Sequence, residues 1–198
     1  MIKDYFRGHF YDESDYFVDL SSGAIDVVNP SRVDWRVGVI DTGLDTQTGG
    51  RLGRLAPYLG GERFMVTYGD GVGDIDITRL LEFHESHGGM ATVTAVRPPA
   101  RFGGLALDGS SVQRFSEKPQ TDAGWINGGF FVFEPEVLEL MDDDATILER
   151  EPLEELAERG ELHAFRHEGF WQPMDTLREK RLLERLWSEG TAPWKPES

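Results

Sequence analysis

Short apolar segments, each closed by glycine, proline or a polar pair, punctuate the chain from end to end. Residues 1–10 suit one short helix. Segments 16–20, 24–29 and 35–41 are rich in β-branched and aromatic residues and are separated by turn formers such as Ser22-Gly23 and Asn29-Pro30, so they predict strands. Residues 50–59 place Leu52, Leu55 and Leu59 on one helical face. Residues 63–68 form a compact apolar run ending in Gly69-Asp70-Gly71, the pattern of a buried strand that runs into a loop. An amphipathic helix over 75–87, carrying Leu80, Leu81 and Phe83, leads into an apolar strand at 91–96, and strand, helix and strand predict one βαβ unit.

Beyond residue 96 the texture changes. Segments 105–107, 112–115 and 130–133 predict strands with no long helix between them, 136–141, 151–159 and 176–187 predict helices, and 164–171 contains a strand. The fold class is therefore α/β with a mixed sheet. No repeat, linker or low-complexity stretch divides the chain, so residues 1–198 read as a single domain.

Charge narrows the range of partners. Lys and Arg total 20 against 36 for Asp and Glu, a net charge of −16, which argues against a broad basic face for nucleic acid or anionic lipid. A small phosphorylated ligand is still allowed, because it needs only a few local cations or a metal ion. The absence of cysteine excludes disulfides, thiolate zinc sites and a cysteine nucleophile. No apolar run approaches the roughly 20 residues of a membrane span, and Met1-Ile2-Lys3-Asp4-Tyr5 does not read as a signal peptide. The expectation is a soluble, cytoplasmic protein.

Several segments carry candidate chemistry. Asp70 sits between two glycines at a predicted strand end, where an α/β sheet binds ligands, and a carboxylate there suits Mg²⁺ held jointly with substrate phosphates; the plain alternative is a turn. In Glu117-Lys118-Pro119 the lysine reads as a point charge for a phosphate or as a surface lysine. Asn127, in Trp125-Ile126-Asn127-Gly128-Gly129, reads as a sugar-hydroxyl contact or as a turn former. Asp175, in Gly169-Phe170-Trp171-Gln172-Pro173-Met174-Asp175-Thr176, reads as a helix N-cap or as a second metal ligand. Thr46-Gln47-Thr48-Gly49-Gly50-Arg51 precedes a helix whose backbone amides, with the arginine, suit a phosphate or an acyl oxygen; the more common outcome is a glycine-rich loop with a solvent arginine. His84 and His87 have a spacing that permits joint metal binding, yet their polar neighbours read as a solvated helix face.

Tyr68-Gly69-Asp70-Gly71, Glu117-Lys118-Pro119, Ile126-Asn127-Gly128-Gly129-Phe130-Phe131 and Phe170-Trp171-Gln172-Pro173-Met174-Asp175-Thr176 occur in an order that resembles the sugar nucleotidyltransferases. Thr48-Gly49-Gly50-Arg51 and the Gln-Pro-Met-Asp-Thr run are similar to the branch that makes CDP-glucose from CTP and glucose 1-phosphate. The resemblance covers essentially the whole chain and implies a Rossmann-like fold. It implies Mg²⁺ as cofactor, held by Asp70 and Asp175, with Lys118 on the sugar phosphate. Gly69 and Arg51, with Thr46, would contact the nucleotide, and Glu117 and Asn127 the glucose hydroxyls. A homo-oligomer is allowed. A transferase using UTP or dTTP, or a non-catalytic sugar-phosphate binder or assembly protein, stands as the alternative.

The family pattern opens with a glycine-rich phosphate loop carrying an arginine, followed by a Lys-Pro segment, and no such loop with a Lys-Pro segment after it occurs among these residues. The expectation is a fold truncated at its N-terminus relative to the family, with strand 64–68 short of a partner and activity impaired in isolation.

Overall fold

The computed structural model describes residues 2–30, 33–99, 103–108, 111–117 and 124–195. The chain forms two compact units, Met1–Gly43 and Leu44–Ser198.

In the first unit, helix α1 (Ile2–Asp12) is followed by a hairpin of β1 (Asp15–Val18) and β2 (Ile25–Asn29). Asp19 sets the hairpin turn. Its carboxylate accepts from the Ser21 hydroxyl at 2.6 Å, the Ser21 N–H at 2.8 Å and the Ser22 N–H at 3.3 Å. Those bonds, led by the Ser21 hydroxyl, hold its pKa down to about 2. Segment 35–41 was expected to be a strand and is irregular instead. Its residues favour an extended backbone, but a strand needs a neighbour for its N–H and C=O groups. No described residue supplies one, and Trp35 is 73% exposed.

The second unit opens with α2 (Thr48–Leu55) and a 3-10 turn at Ala56–Tyr58. Next come β3 (Phe64–Thr67), β4 (Gly71–Gly73), α3 (Ile77–His87) and β5 (Ala91–Val96), then the hairpin of β6 (Gly103–Asp108) and β7 (Ser111–Glu117). The chain continues through β8 (Ile126–Phe133), a 3-10 helix at Pro135–Leu140 where an α-helix was expected, α4 (Glu151–Glu158), β9 (Leu162–Arg166), β10 (Trp171–Pro173) and α5 (Leu177–Ser188).

The main sheet has the order β3-β8-β5-β9. β8 pairs antiparallel with both β3 and β5, while β5 and β9 are parallel, so the sheet is mixed. The expected βαβ unit is thus present but split. β3 and β5 run the same way on either side of β8, with Phe133 opposite both Phe64 and Ala91. Phe131, Val132 and Phe133 are all fully buried, so β8 has the two apolar faces an interior strand needs. One core layer joins Phe64, Phe131 and Phe133 to Leu52 of α2 and Leu156 of α4. β3 lies at the sheet edge and, among the described residues, pairs only with β8.

The solvated face expected for His84 and His87 is not what forms. His84 is 1% exposed, with Nδ1 2.8 Å from Thr92 Oγ1 and Nε2 3.1 Å from Glu134 Oε1. His87 Nε2 lies 2.7 Å from the same hydroxyl, and its Nδ1 accepts from the Gly89 N–H at 2.9 Å. These polar residues face the sheet because Thr92 of β5 and Glu134, just past β8, supply matching partners, a pairing invisible to helical periodicity.

Candidate active site at the end of the sheet

β3 ends at Thr67, and the chain passes through Tyr68, Gly69 and Asp70 into β4. β4 is short because it belongs to a separate antiparallel ribbon with β10, three residue pairs long. Its register sets Gly71 opposite Pro173, and the Asp70 carbonyl accepts from the Met174 N–H at 2.7 Å. Asp70 and Asp175, 105 positions apart in sequence, therefore flank the same end of one ribbon, and both are exposed. The N-cap duty considered for Asp175 belongs to Thr176, which forms a capping box with Glu179. A Cβ at Gly69 would meet nothing within 4 Å, so packing does not require glycine there.

Asn127 stands at the start of β8, beside this ribbon. Its Oδ1 accepts from the Gly129 N–H at 2.8 Å and its Nδ2 donates to the Tyr68 hydroxyl at 3.2 Å. The Tyr68 hydroxyl donates in turn to Glu149. Burial, then the bond to Glu149, pushes the Tyr68 hydroxyl well above its ordinary pKa. Thr48 Oγ1 donates to the other Glu149 oxygen at 2.6 Å and accepts from the Leu148 N–H at 2.9 Å. A continuous hydrogen-bond chain thus runs from Asn127 to the first residue of α2. The glycine pair after Asn127 is required by packing. A Cβ on Gly128 would lie 2.7 Å from Val96 Cγ1, and one on Gly129, whose φ is +77°, would lie 2.6 Å from Tyr68 Cδ2. Trp171 locks this corner by donating Nε1–H to the Gly128 carbonyl at 2.8 Å.

The N-terminus of α2 does not offer the open amides expected of a phosphate site. The Gln47 N–H donates to the Asp144 carbonyl at 2.8 Å, and the Gly49 and Gly50 N–H groups donate to the Thr146 carbonyl at 3.0 and 3.1 Å. The glycines here serve close approach, since a Cβ on Gly50 would lie 2.7 Å from Asp144 Cα. Thr46 is buried, and Arg51 donates Nη2–H to the Leu44 carbonyl at 3.2 Å. Glu117 closes β7, and Lys118 lies outside the described residues.

Sequence reasoning missed Tyr68 and Glu149 as linking residues, and also two arginines. Arg97 and Arg166, just past or at the ends of β5 and β9, stand over the Trp125 ring at 4.3 and 5.7 Å, immediately before β8. A Trp flanked by arginines from remote segments leaves no local signal.

Among the described residues no three His, Cys, Asp or Glu side chains gather as a metal cage. Two hard carboxylates at one ribbon end suit a cation that takes one or two protein ligands and completes its shell with water and phosphate, the habit of Mg²⁺.

Known proteins resemble this chain in sequence and in fold. The chain is 50% identical over 196 residues to a glucose-1-phosphate cytidylyltransferase from Salmonella typhi, a match covering 98% of this chain and 76% of that protein. Among solved structures, HddC from Yersinia pseudotuberculosis superposes with a TM-score of 0.57 at 22% identity, over 76% of this chain and 66% of that one. A UDP-glucose pyrophosphorylase complexed with UDP-glucose gives 0.56 at 13% identity, over 76% and 65%. At those identities the structures speak for the Rossmann-like fold alone. Residues 53–176, which reach from α2 through both aspartates to the cap of α5, match the nucleotidyl transferase family, and with the Salmonella relative they establish that the chain belongs to it.

Proposed function

We propose that this chain forms the metal- and sugar-phosphate-binding part of a site that transfers a cytidylyl group from CTP to glucose 1-phosphate, giving CDP-glucose and pyrophosphate. The observation that carries the proposal is the ribbon of β4 and β10, which flanks one end with Asp70 and Asp175. The 50% identity to a glucose-1-phosphate cytidylyltransferase supports the choice of nucleotide and sugar.

A phosphate oxygen of glucose 1-phosphate attacks the α-phosphorus of CTP. The new O–P bond forms as the bond to the β-phosphate bridging oxygen breaks, and that oxygen leaves with pyrophosphate. No protein nucleophile is needed, so the residues act by alignment and by offsetting charge. Asp70 and Asp175 would hold Mg²⁺, which supplies charge neutralisation at the reacting phosphates. Lys118 offsets the charge of the incoming phosphate. Asn127, held by Gly129 and Tyr68, and Glu117 orient the glucose hydroxyls. Gly69 lets the nucleotide approach the backbone, and Arg51 and Thr46 complete its contacts.

The test is pyrophosphate release from CTP, glucose 1-phosphate and Mg²⁺, with UTP and dTTP as comparisons. The chain spans 76% of the Salmonella relative, so the assay is run with and without the rest of that relative supplied in trans. Release with CTP in preference to the other nucleotides is the expected result. No release under either condition would overturn the proposal.

A further inference from the structure

The two proposed metal ligands ride on a ribbon only three residue pairs long, and a two-stranded ribbon of that size is marginal by itself. What holds it in place decides how well Asp70 and Asp175 are aimed. At the end away from the aspartates, the Phe170 carbonyl accepts from the Asp74 N–H at 3.2 Å. The same carbonyl is approached by His167 Nε2 at 3.2 Å, and that nitrogen also lies 2.9 Å from Asp74 Oδ1. Facing two acceptors, Nε2 must carry the proton and donate to both. The His167 main-chain N–H donates to the Ala95 carbonyl at 2.9 Å, extending the pairing of β5 with β9. His167 is thus bonded through its backbone to the main sheet and through its ring to both strands' ends of the ribbon. Its side chain is 10% exposed, and the ring is boxed in by Gly169. A Cβ on Gly169 would lie 2.5 Å from Asp74 Oδ1 and 2.7 Å from His167 Cε1.

We infer that His167 and Asp74 are positioning residues that fix the metal-binding ribbon to the main sheet. The inference rests on the proposed function for the purpose of that ribbon, but the bracing itself is a property of the fold. His167 touches neither substrate nor metal; it acts through the backbone that carries Asp70 and Asp175. Without its Nε2–H, the ribbon keeps its own ladder and the Trp171–Gly128 bond, but loses the junction to β5 and β9. The aspartates would then sample a wider range of separations. Binding of a divalent cation and the chemical step would both suffer, while contacts to the sugar from β8 would not.

The experiment compares H167F, which keeps a ring but no donor, with H167Q, whose side-chain amide can restore a donor near Nε2. D74A is the second variant should H167F fail to fold. Mn²⁺ affinity is read by electron paramagnetic resonance without substrate, backbone amide exchange at Asp74 and Met174 by NMR, and kcat and KM by pyrophosphate release. For H167F and D74A, Mn²⁺ affinity and kcat each fall about tenfold, the range seen when a residue behind a metal ligand is lost. Exchange at Asp74 and Met174 accelerates by a similar factor, KM for glucose 1-phosphate stays within twofold, and H167Q recovers most of each loss. Folded H167F and D74A with unchanged Mn²⁺ affinity and unchanged exchange would overturn the inference. If the unsubstituted chain neither binds Mn²⁺ nor releases pyrophosphate, that failure belongs to the proposed function, and exchange at Asp74 and Met174 still decides whether His167 braces the ribbon.

Discussion

Thr176 and Glu179 bind each other twice at the start of α5. The Thr176 Oγ1 accepts from the Glu179 N–H at 3.3 Å, and Glu179 Oε2 accepts from the Thr176 N–H at 2.9 Å. The reciprocal cap relieves Asp175 of the N-cap duty, so the metal role proposed for Asp175 can be tested apart from the cap. T176A should lower unfolding stability by about 1 kcal/mol, the usual worth of such a cap, measured by urea denaturation. D175N leaves that cap in place and should cost less stability than T176A. Its pyrophosphate release should fall on the order of 100-fold, as expected when charge stabilisation at a reacting group is removed. A D175N protein with near-normal turnover would exclude a metal role for that carboxylate.

Tyr68 joins Asn127 to Glu149. Y68F removes the hydroxyl and leaves Glu149 with its Thr48 bond. The expected cost in stability is about 1 kcal/mol for the lost hydrogen bonds. Asn127 loses one of its two anchors, so KM for glucose 1-phosphate should rise severalfold while that for CTP changes little. Steady-state kinetics with each substrate varied in turn makes the comparison. Equal rises in both KM values would place the effect elsewhere than on the sugar.

Two glycines, one beside Asp70 and one near the start of β8, make opposite predictions. G129A puts a Cβ against the Tyr68 ring in a left-handed backbone, so a loss of about 3 kcal/mol is expected from strain and overpacking together. G69A meets open space and should change stability by no more than about 0.5 kcal/mol. If Gly69 admits the nucleotide to the backbone, G69A should nonetheless weaken CTP binding by calorimetry.

Acid should loosen the end of the sheet where His84 and His87 sit. Burial, then the nearby His163 and His84, lower the His87 pKa from its ordinary 6.5, against the opposing pull of Glu161. Glu134 remains ionised beside His84, because the bonds from Arg63 and His84 outweigh the upward push of its burial. Well above pH 6.5 His87 is neutral in both the folded and the unfolded chain and has no effect on stability. As pH falls below 6.5 the unfolded chain takes up the proton first, so stability declines until the folded pKa is passed. Urea midpoints at pH 7.5 and pH 5.5 should show the decline, and H87N should flatten it. An unchanged slope in H87N would remove His87 as its source.

Much of the architecture is written locally. The apolar run before Gly69-Asp70-Gly71, the helix of Leu80 and Phe83 and the hydrophobic strand at 91–96 each follow from their own residues. What local pattern does not encode is who sits beside whom. Residues 35–41 have strand propensity and no partner, while β8 enters between β3 and β5 from a distant part of the chain. His84 looks polar until Thr92 and Glu134 are placed against it. The two aspartates were legible as motif residues, but the ribbon joining them depends on a pairing across 100 positions. The reading of α2 as an open anion site failed because Thr146, far along the chain, reaches its amides first.

That last contact has an electrostatic consequence. With the Gln47, Gly49 and Gly50 amides occupied, the positive end of the α2 dipole is already answered from within, and a chain of net charge −16 presents an opposing field to triphosphates and sugar phosphates. Simple salt, which weakens most phosphate recognition by screening attraction, would here screen repulsion and speed the encounter. The proposed local cations, Lys118 and Arg51, would then work at close range against that long-range repulsion.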